Sequence, residues 1–400
     1  MNDTIRLGRI AGIPIGVNWT VLGIAALMAW SLAGRLLPGE VPGLDPAAYW
    51  AAGAGVAVLF LASLLAHELA HAVVARRNGI GVDGITLWLL GGVARLRGEA
   101  RTPGAEARIA IVGPLTSLAV GAVAFAVAAG LGRLDLAGPP ALAVVAAQWL
   151  AVVNVVLGVF NLIPGAPLDG GRIAKAVVWK WRGDALTATR AASGLGRAVG
   201  WGLAGLGVAE IALFGNVAGI WSIVLGWFIA TAAGAERDQA EALSALDGMT
   251  VADVMTRDPL RAPATLTVDA FVDHLALGTR SSTWAVTDPE GDVVSVLGIE
   301  DVRRIRPDKA RERRLGDLAV PLERLPSARP DELVTSLMER LAGGPAAPRI
   351  VVMESDRLVG LLLPEDLSRA IEVGRLRPGT RGGGPSTTAS RPAPGWPASS

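Results

Sequence analysis

The chain contains no cysteine and only three histidines among its 400 residues. The first absence excludes disulfides and thiolate ligands, so any metal must be held by His, Asp, Glu or backbone oxygen. The second makes each histidine informative. Net charge is also nearly absent, at +1, which gives no reason to invoke nucleic acid as a partner. The N-terminus is polar, and its first apolar run is long and without a clear cleavage site, so no cleavable signal peptide is expected. What the chain has in excess is apolar sequence, 51% of all residues. It is unevenly spread. Long Ala/Val/Leu/Gly runs dominate up to about Gly234, and charged residues become frequent beyond it.

Six stretches are long and apolar enough to cross a bilayer as helices, at about 17–36, 50–75, 107–131, 141–163, 198–214 and 217–234. Basic residues gather before the first stretch and in the connections after the second and fourth; Arg35 and Arg133 stand nearly alone on the opposite side. The positive-inside rule then makes this a multi-pass protein of the cytoplasmic membrane with both termini in the cytoplasm. Residues 5–15 mix basic and branched apolar residues and read as a short strand or interfacial segment. Residues 80–96 hold two short apolar runs separated by Gly91-Gly92, which read as a re-entrant or interfacial β-hairpin. Its strand edge can pair with an extended peptide, or the hairpin can pack as a lid.

Two of the three histidines fall in the second stretch, in Ala66-His67-Glu68-Leu69-Ala70-His71. On a helix, positions i and i+4 share a face, so His67 and His71 can close on one metal ion. Glu68, one residue further round, can take a proton from a metal-activated water. HExxH fixes only three positions and occurs by chance on soluble helices. Inside hydrocarbon, ionisable groups are costly and point to function. Catalytic zinc usually has three protein ligands. His274 lies in the charged C-terminal region and reads as an ordinary residue. Asp169 is the better third ligand. Pro164 and Pro167 break the fourth span before it, Gly170-Gly171 let the chain turn after it, and it sits at the level where the second span ends.

These residues, together with Gly113-Pro114 and the block from Asn161 through Pro164 and Leu168 to Asp169-Gly170-Gly171, resemble the site-2 protease family. The resemblance is to the prokaryotic group of these intramembrane zinc metalloproteases that carries C-terminal CBS domains. It covers roughly residues 6–234 and, more loosely, the soluble region. It implies hydrolysis of a peptide bond within the membrane, one Zn2+ per chain on His67, His71 and Asp169, and Glu68 as base. It also implies single-span membrane protein substrates, such as anti-sigma-type regulators, and a place for Asn161 at the substrate backbone or the oxyanion. Two positions depart from the family pattern. Ser117 stands where members commonly have Asn, and Asn18-Trp19 where many have His-Trp; neither is expected to touch the metal set.

From Met249 an order of helix, strand, strand, helix occurs twice, resembling a tandem CBS pair over 249–372. Such pairs often bind adenine nucleotides through an Asp at the start of the last helix of each repeat, a position held here by Asp301 and Asp366. The Ser/Thr that usually stands three residues earlier is replaced by Gly298 and Leu363. Nucleotide binding and a role as a homodimerisation or docking module both stay open. Residues 375–400, rich in Gly, Pro, Ser and Thr, are expected to be a disordered tail. The expected architecture is therefore a polytopic α-helical membrane protein. An interfacial segment (1–15) leads into a six-span metalloprotease domain (16–236) with a short β-hairpin, followed by a soluble α/β tandem CBS module. Two other readings compete: a CBS-gated membrane transporter or channel, for which the spans show no continuous polar route, and an inactive relative that binds membrane proteins.

Overall fold

The structure is a computed structural model that describes residues 5–88, 91–279, 281–306, 309–341, 349–355 and 357–376. Six of its helices are long and apolar enough to span a membrane. After strands β1 (Ile5–Ile10) and β2 (Ile13–Val17), α1 (Thr20–Ser31) runs through a π-helical turn (Leu32–Leu36) into α2 (Leu37–Glu40) as the first span. Helix α3 (Pro46–Arg77) carries the histidines. Its ends follow from local chemistry: the Asp45 carboxylate accepts the Ala47 N–H, Pro46 opens the first turn, and Arg76 and Arg77 sit at the negative end of the helix dipole. Strands β3 (Gly81–Trp88) and β4 (Gly91–Arg97) come next. Then follow α4 (Pro103–Gly132), α5 (Ala141–Asn161), a shorter amphipathic α6 (Asp169–Arg182), α7 (Ala185–Phe214) and α8 (Gly219–Ala245).

Hydropathy placed the last two spans too narrowly. Helix α7 begins at its Asp184 cap, and α8 continues to Ala245, because hydropathy marks only the part of a helix in hydrocarbon. The polar ends are joined instead by charge, with Glu241 accepting from Arg190 at 2.9 Å and from Arg237 at 3.0 Å. Closer to the apolar ends the two helices touch backbone to backbone. A Cβ on Gly200 would stand 2.6 Å from the Gly226 carbonyl oxygen.

The N-terminal segment is a full hairpin, and it shares one sheet, in the order β1-β2-β3-β4, with the second hairpin. Strands β2 and β3 pair in parallel, Ile15 opposite Ile85, so β3 is an inner strand and only β4 leaves an open edge on that side. Gly91-Gly92 does not form the turn of the second hairpin, as its sequence suggested. Both glycines begin β4, opposite Trp88 and Leu87, and Leu89 and Leu90 lie outside the described residues. Ile13, Ile15 and Ile85 pack on Leu65, Leu69 and Ala72 of α3. Helix α4 packs against α3 as well.

The C-terminal module has the alternation expected of a CBS pair. Its first part holds α9 (Val251–Val254), β5 (Thr256–Arg257), β6 (Arg261–Pro263), α10 (Val268–Phe271), β7 (Thr283–Thr287), β8 (Val293–Gly298) and α11 (Ile299–Arg303). Its second holds β9 (Val320–Pro321), β10 (Ser327–Ala328), α12 (Val334–Leu341), β11 (Ile350–Glu354), β12 (Arg357–Leu362) and α13 (Pro364–Arg375). Two four-stranded sheets result, β6-β7-β8-β9 and β10-β11-β12-β5. The chain leaving α8 packs Leu246, Met249 and Val251 into the core of the second sheet, and α13 returns to lie on α8. Of the expected tail, residues 377–400 lie outside the described residues.

Candidate metal centre

Two turns before its end, α3 presents His67 and His71 on one buried face, at 3% and 6% exposure. The His71 Nδ1 lies 2.6 Å from the Ile109 carbonyl oxygen of α4. A carbonyl only accepts, so Nδ1 carries a proton, which in the neutral ring leaves the Nε2 lone pair free for a metal. The His67 Nδ1 meets the Ser117 hydroxyl at 2.9 Å, again from α4, and its Nε2 also points inward. Asp169 brings the third atom from the start of α6. His67 Nε2, His71 Nε2 and Asp169 Oδ2 stand 3.1–3.2 Å apart.

This triangle fits a metal ion. Three ligand atoms around zinc at ~2.0–2.1 Å in a tetrahedron lie about 3.3 Å from each other. The chemistry agrees, since two neutral imidazoles and a carboxylate are a familiar zinc set. Gly113 of α4 closes the floor. A Cβ built on it would stand 2.1 Å from His71 Nε2 and 2.7 Å from His67 Nε2, so only glycine leaves that space open. Glu68, next to His67 in the chain, faces Gly92 of β4.

Asp169 reaches the histidines by a route the sequence did not disclose. Gly170 and Gly171 do not form a turn after it; they lie in the first turn of α6. Their missing side chains let the loop from Leu162 to Ala166 fold back across that turn, where a Cβ on Gly170 would be 2.4 Å from the Leu162 and Ile163 carbonyls. One turn further on, Arg172 Nε lies 2.9 Å from the Oε1 of Glu106, a 5%-exposed side chain of α4. This ion pair ties the ligand-bearing helix to the helix that orients both imidazoles. In the sequence the pair is marked only by an acid at a span boundary, just outside the apolar run, and by an Arg three residues after a candidate ligand. Ser117 also corrects an expectation. It touches the metal set directly through His67. Asn18 does not: its Oδ1 accepts from the Thr20 N–H and hydroxyl, where β2 passes into α1.

The remaining candidates stand apart from this cluster. Asn161 donates its side-chain amide back to the Leu157 carbonyl of its own helix. Asp301 pairs with the buried Arg349 at 2.7 Å and caps the Gly298 N–H. Asp366 caps the Leu363 N–H and accepts from the Thr256 hydroxyl at 2.8 Å. His274 is exposed on the C-terminal module.

Two buried histidines and a partly buried Asp brought to one point, with Glu68 on the same helix as the histidines and held among six helices long enough to span a membrane, are the arrangement of a membrane-embedded metallohydrolase. The family model described as peptidase family M50 matches residues 55–134 and 138–201. Rip3 of Mycobacterium tuberculosis, named as a zinc metalloprotease, is 46% identical over 378 residues, covering 94% of this chain and 95% of that protein. A protein of Synechocystis sp. with the same designation, sll0528, is 30% identical over 376 residues, 93% of this chain and 96% of its own. The solved site-2 protease of Methanocaldococcus jannaschii is 30% identical, covers 58% of this chain and 94% of its own, and superposes with a TM-score of 0.40. The chain belongs to peptidase family M50, the site-2 protease family of zinc metalloproteases. It is a multi-pass membrane metalloprotease, and the transporter reading gives way to that membership.

Proposed function

We propose that this protein is a zinc-dependent endopeptidase that hydrolyses peptide bonds in or near the membrane-spanning segments of single-span membrane proteins, with anti-sigma-type regulators as candidate substrates. The observation that carries the reading is the convergence of His67, His71 and Asp169 on one point inside the helical bundle, with Glu68 following His67 on the same helix and facing Gly92 of β4. His67, His71 and Asp169 would hold one zinc ion, their rings oriented by Ser117 and Ile109. Bound there, zinc supplies the Lewis acidity that activates water and polarises a peptide carbonyl. Glu68 accepts the proton of the attacking water on its carboxylate and returns it to the leaving amine. A substrate helix hides its carbonyls in i→i−4 hydrogen bonds and must unwind at the cut. The open edge of β4 offers N–H and C=O groups that replace those bonds for an extended strand.

In this reading the bilayer is the cytoplasmic membrane, with both termini and the CBS pair on the cytoplasmic side, where the Arg and Lys residues gather. The CBS pair serves as a regulatory or dimerisation module. Its candidate adenine nucleotide belongs beside Asp366, whose partners are neutral, the Thr256 hydroxyl and the Leu363 N–H, whereas Asp301 is paired with the charged Arg349. Thr256, the partner of Asp366, borders a cavity of about 290 Å³ between the two halves.

The test compares wild type with Glu68→Gln and Asp169→Ala for bound zinc and for cleavage of a single-span substrate. Wild type holds about one zinc per chain, Glu68→Gln keeps it without activity, and Asp169→Ala loses it. A Glu68→Gln variant that cuts as well as wild type overturns the reading.

A further inference from the structure

Between the membrane-spanning helices and the CBS pair lies a cleft of about 640 Å³. Leu96, Leu186, Leu243 and Met338 give it an apolar lining. Its charged lining residues are all acidic: Glu99, Asp247 and Glu339. Glu99 shares its charge with Lys175 at 3.3 Å, whereas Asp247 and Glu339 are exposed and have no ion-pair partner among the described residues.

One strand runs from beside Glu68 to the cleft. Strand β4 touches Glu68 at Gly92, and four residues later Leu96 is in the cleft wall. At the rise of an extended chain that is about 13 Å. A strand added to the open edge of β4 therefore leaves the catalytic carboxylate at one end and enters the cleft at the other. The segment that follows a span on this side of the bilayer has a known chemistry. Cytoplasmic flanks within about 15–20 residues of a span are enriched in Lys and Arg. They complement an acidic cleft.

We propose that this cleft receives the basic juxtamembrane segment of the single-span substrate, which reaches it along the open edge of β4; the inference rests on the endopeptidase reading above. Met338 and Glu339 come from α12 of the CBS pair, so that module completes the binding surface and takes part in choosing the substrate.

The experiment uses the full-length, zinc-loaded protein in detergent and a synthetic leucine-rich span broken by Asn-Gly. The span is made with a lysine, glutamine or glutamate flank, placed at each end in turn. Wild type is expected to show a KM about tenfold lower for the lysine-flanked span than for the glutamine-flanked one. The double variant Asp247→Lys/Glu339→Lys is expected to lose that preference and favour the glutamate flank. Both residues are exposed, and the substrate series needs no change in the enzyme, so misfolding cannot mimic the result. Cleavage by wild type that is indifferent to flank charge, or a lysine preference that survives the double reversal, overturns this inference alone. Failure of wild type to cut any of the spans overturns the endopeptidase reading and the inference with it.

Discussion

Gly92 of β4 approaches Glu68 of α3 so closely that a Cβ built on the glycine would stand 2.2 Å from Glu68 Cγ. The edge strand thus forms a roof over the carboxylate next to the metal ligands. Gly92→Ala should turn the Glu68 side chain away or lift β4 from the helix. Since a misplacement of about 1 Å costs on the order of 100-fold, cleavage should fall by about that factor while bound zinc is unchanged. Steady-state cleavage and metal analysis of the same preparation check both halves.

Gly113 gives the opposite pattern. Alanine there would put a methyl group where the two Nε2 atoms converge, so Gly113→Ala should abolish zinc binding. The fold should survive, because Ala is favoured over Gly within a helix by about 1 kcal/mol. Zinc content alongside thermal unfolding separates the two effects.

Ser117 is the partner of the His67 Nδ1 at 2.9 Å. Removing such a partner from a ligating histidine typically weakens metal affinity by about 10–100-fold. Competition of Ser117→Ala and wild type against a zinc chelator should show a shift in that range.

The Arg172–Glu106 pair should be worth more to stability when one partner is lost than when both are. Glu106→Gln leaves Arg172 without its carboxylate and should cost about 3 kcal/mol, the lower end for breaking a buried pair, since Arg172 is partly exposed. Replacing both by apolar residues, Glu106→Leu with Arg172→Met, should restore most of it. Thermal unfolding of the single and double variants decides this.

Asp184 caps α7, accepting the Leu186 N–H at 3.1 Å and the Thr187 N–H at 2.8 Å. Burial works to raise its pKa, but its hydrogen bonds from Thr187 and Leu186 outweigh burial and hold the carboxyl below its ordinary value. A depressed carboxyl stabilises the fold above the unfolded value of about 3.9, and that contribution is lost as pH falls through the lower folded value. Asp184→Ala should cost about 1 kcal/mol at neutral pH, and the gap to wild type should close toward pH 3. Unfolding measured across that range tests the sign.

Much of the centre was legible because it is written in local spacing. His67 and His71 share a face by helix geometry alone, and hydropathy placed them in hydrocarbon, where such residues need a reason. The third candidate ligand, about a hundred residues away, is signalled by depth, because proline and glycine mark where a span must stop. The surrounding contacts were not legible. Nothing in the spacing of Ser117, Gly92 or Arg172 says which helix or strand they face. The parallel pairing of β2 with β3, which leaves β4 as the open edge, joins segments about seventy residues apart.

The sequence by itself determined the number of spans, the candidate metal ligands and the repeat of the soluble module, since each rests on a periodicity or composition that acts within a few turns of chain. Tertiary structure alone decided how the ligands are oriented, which glycines leave room for the ion and for Glu68, and where β4 leads. Those depend on close approach between distant backbones, which hydrophobic burial drives but no local pattern encodes.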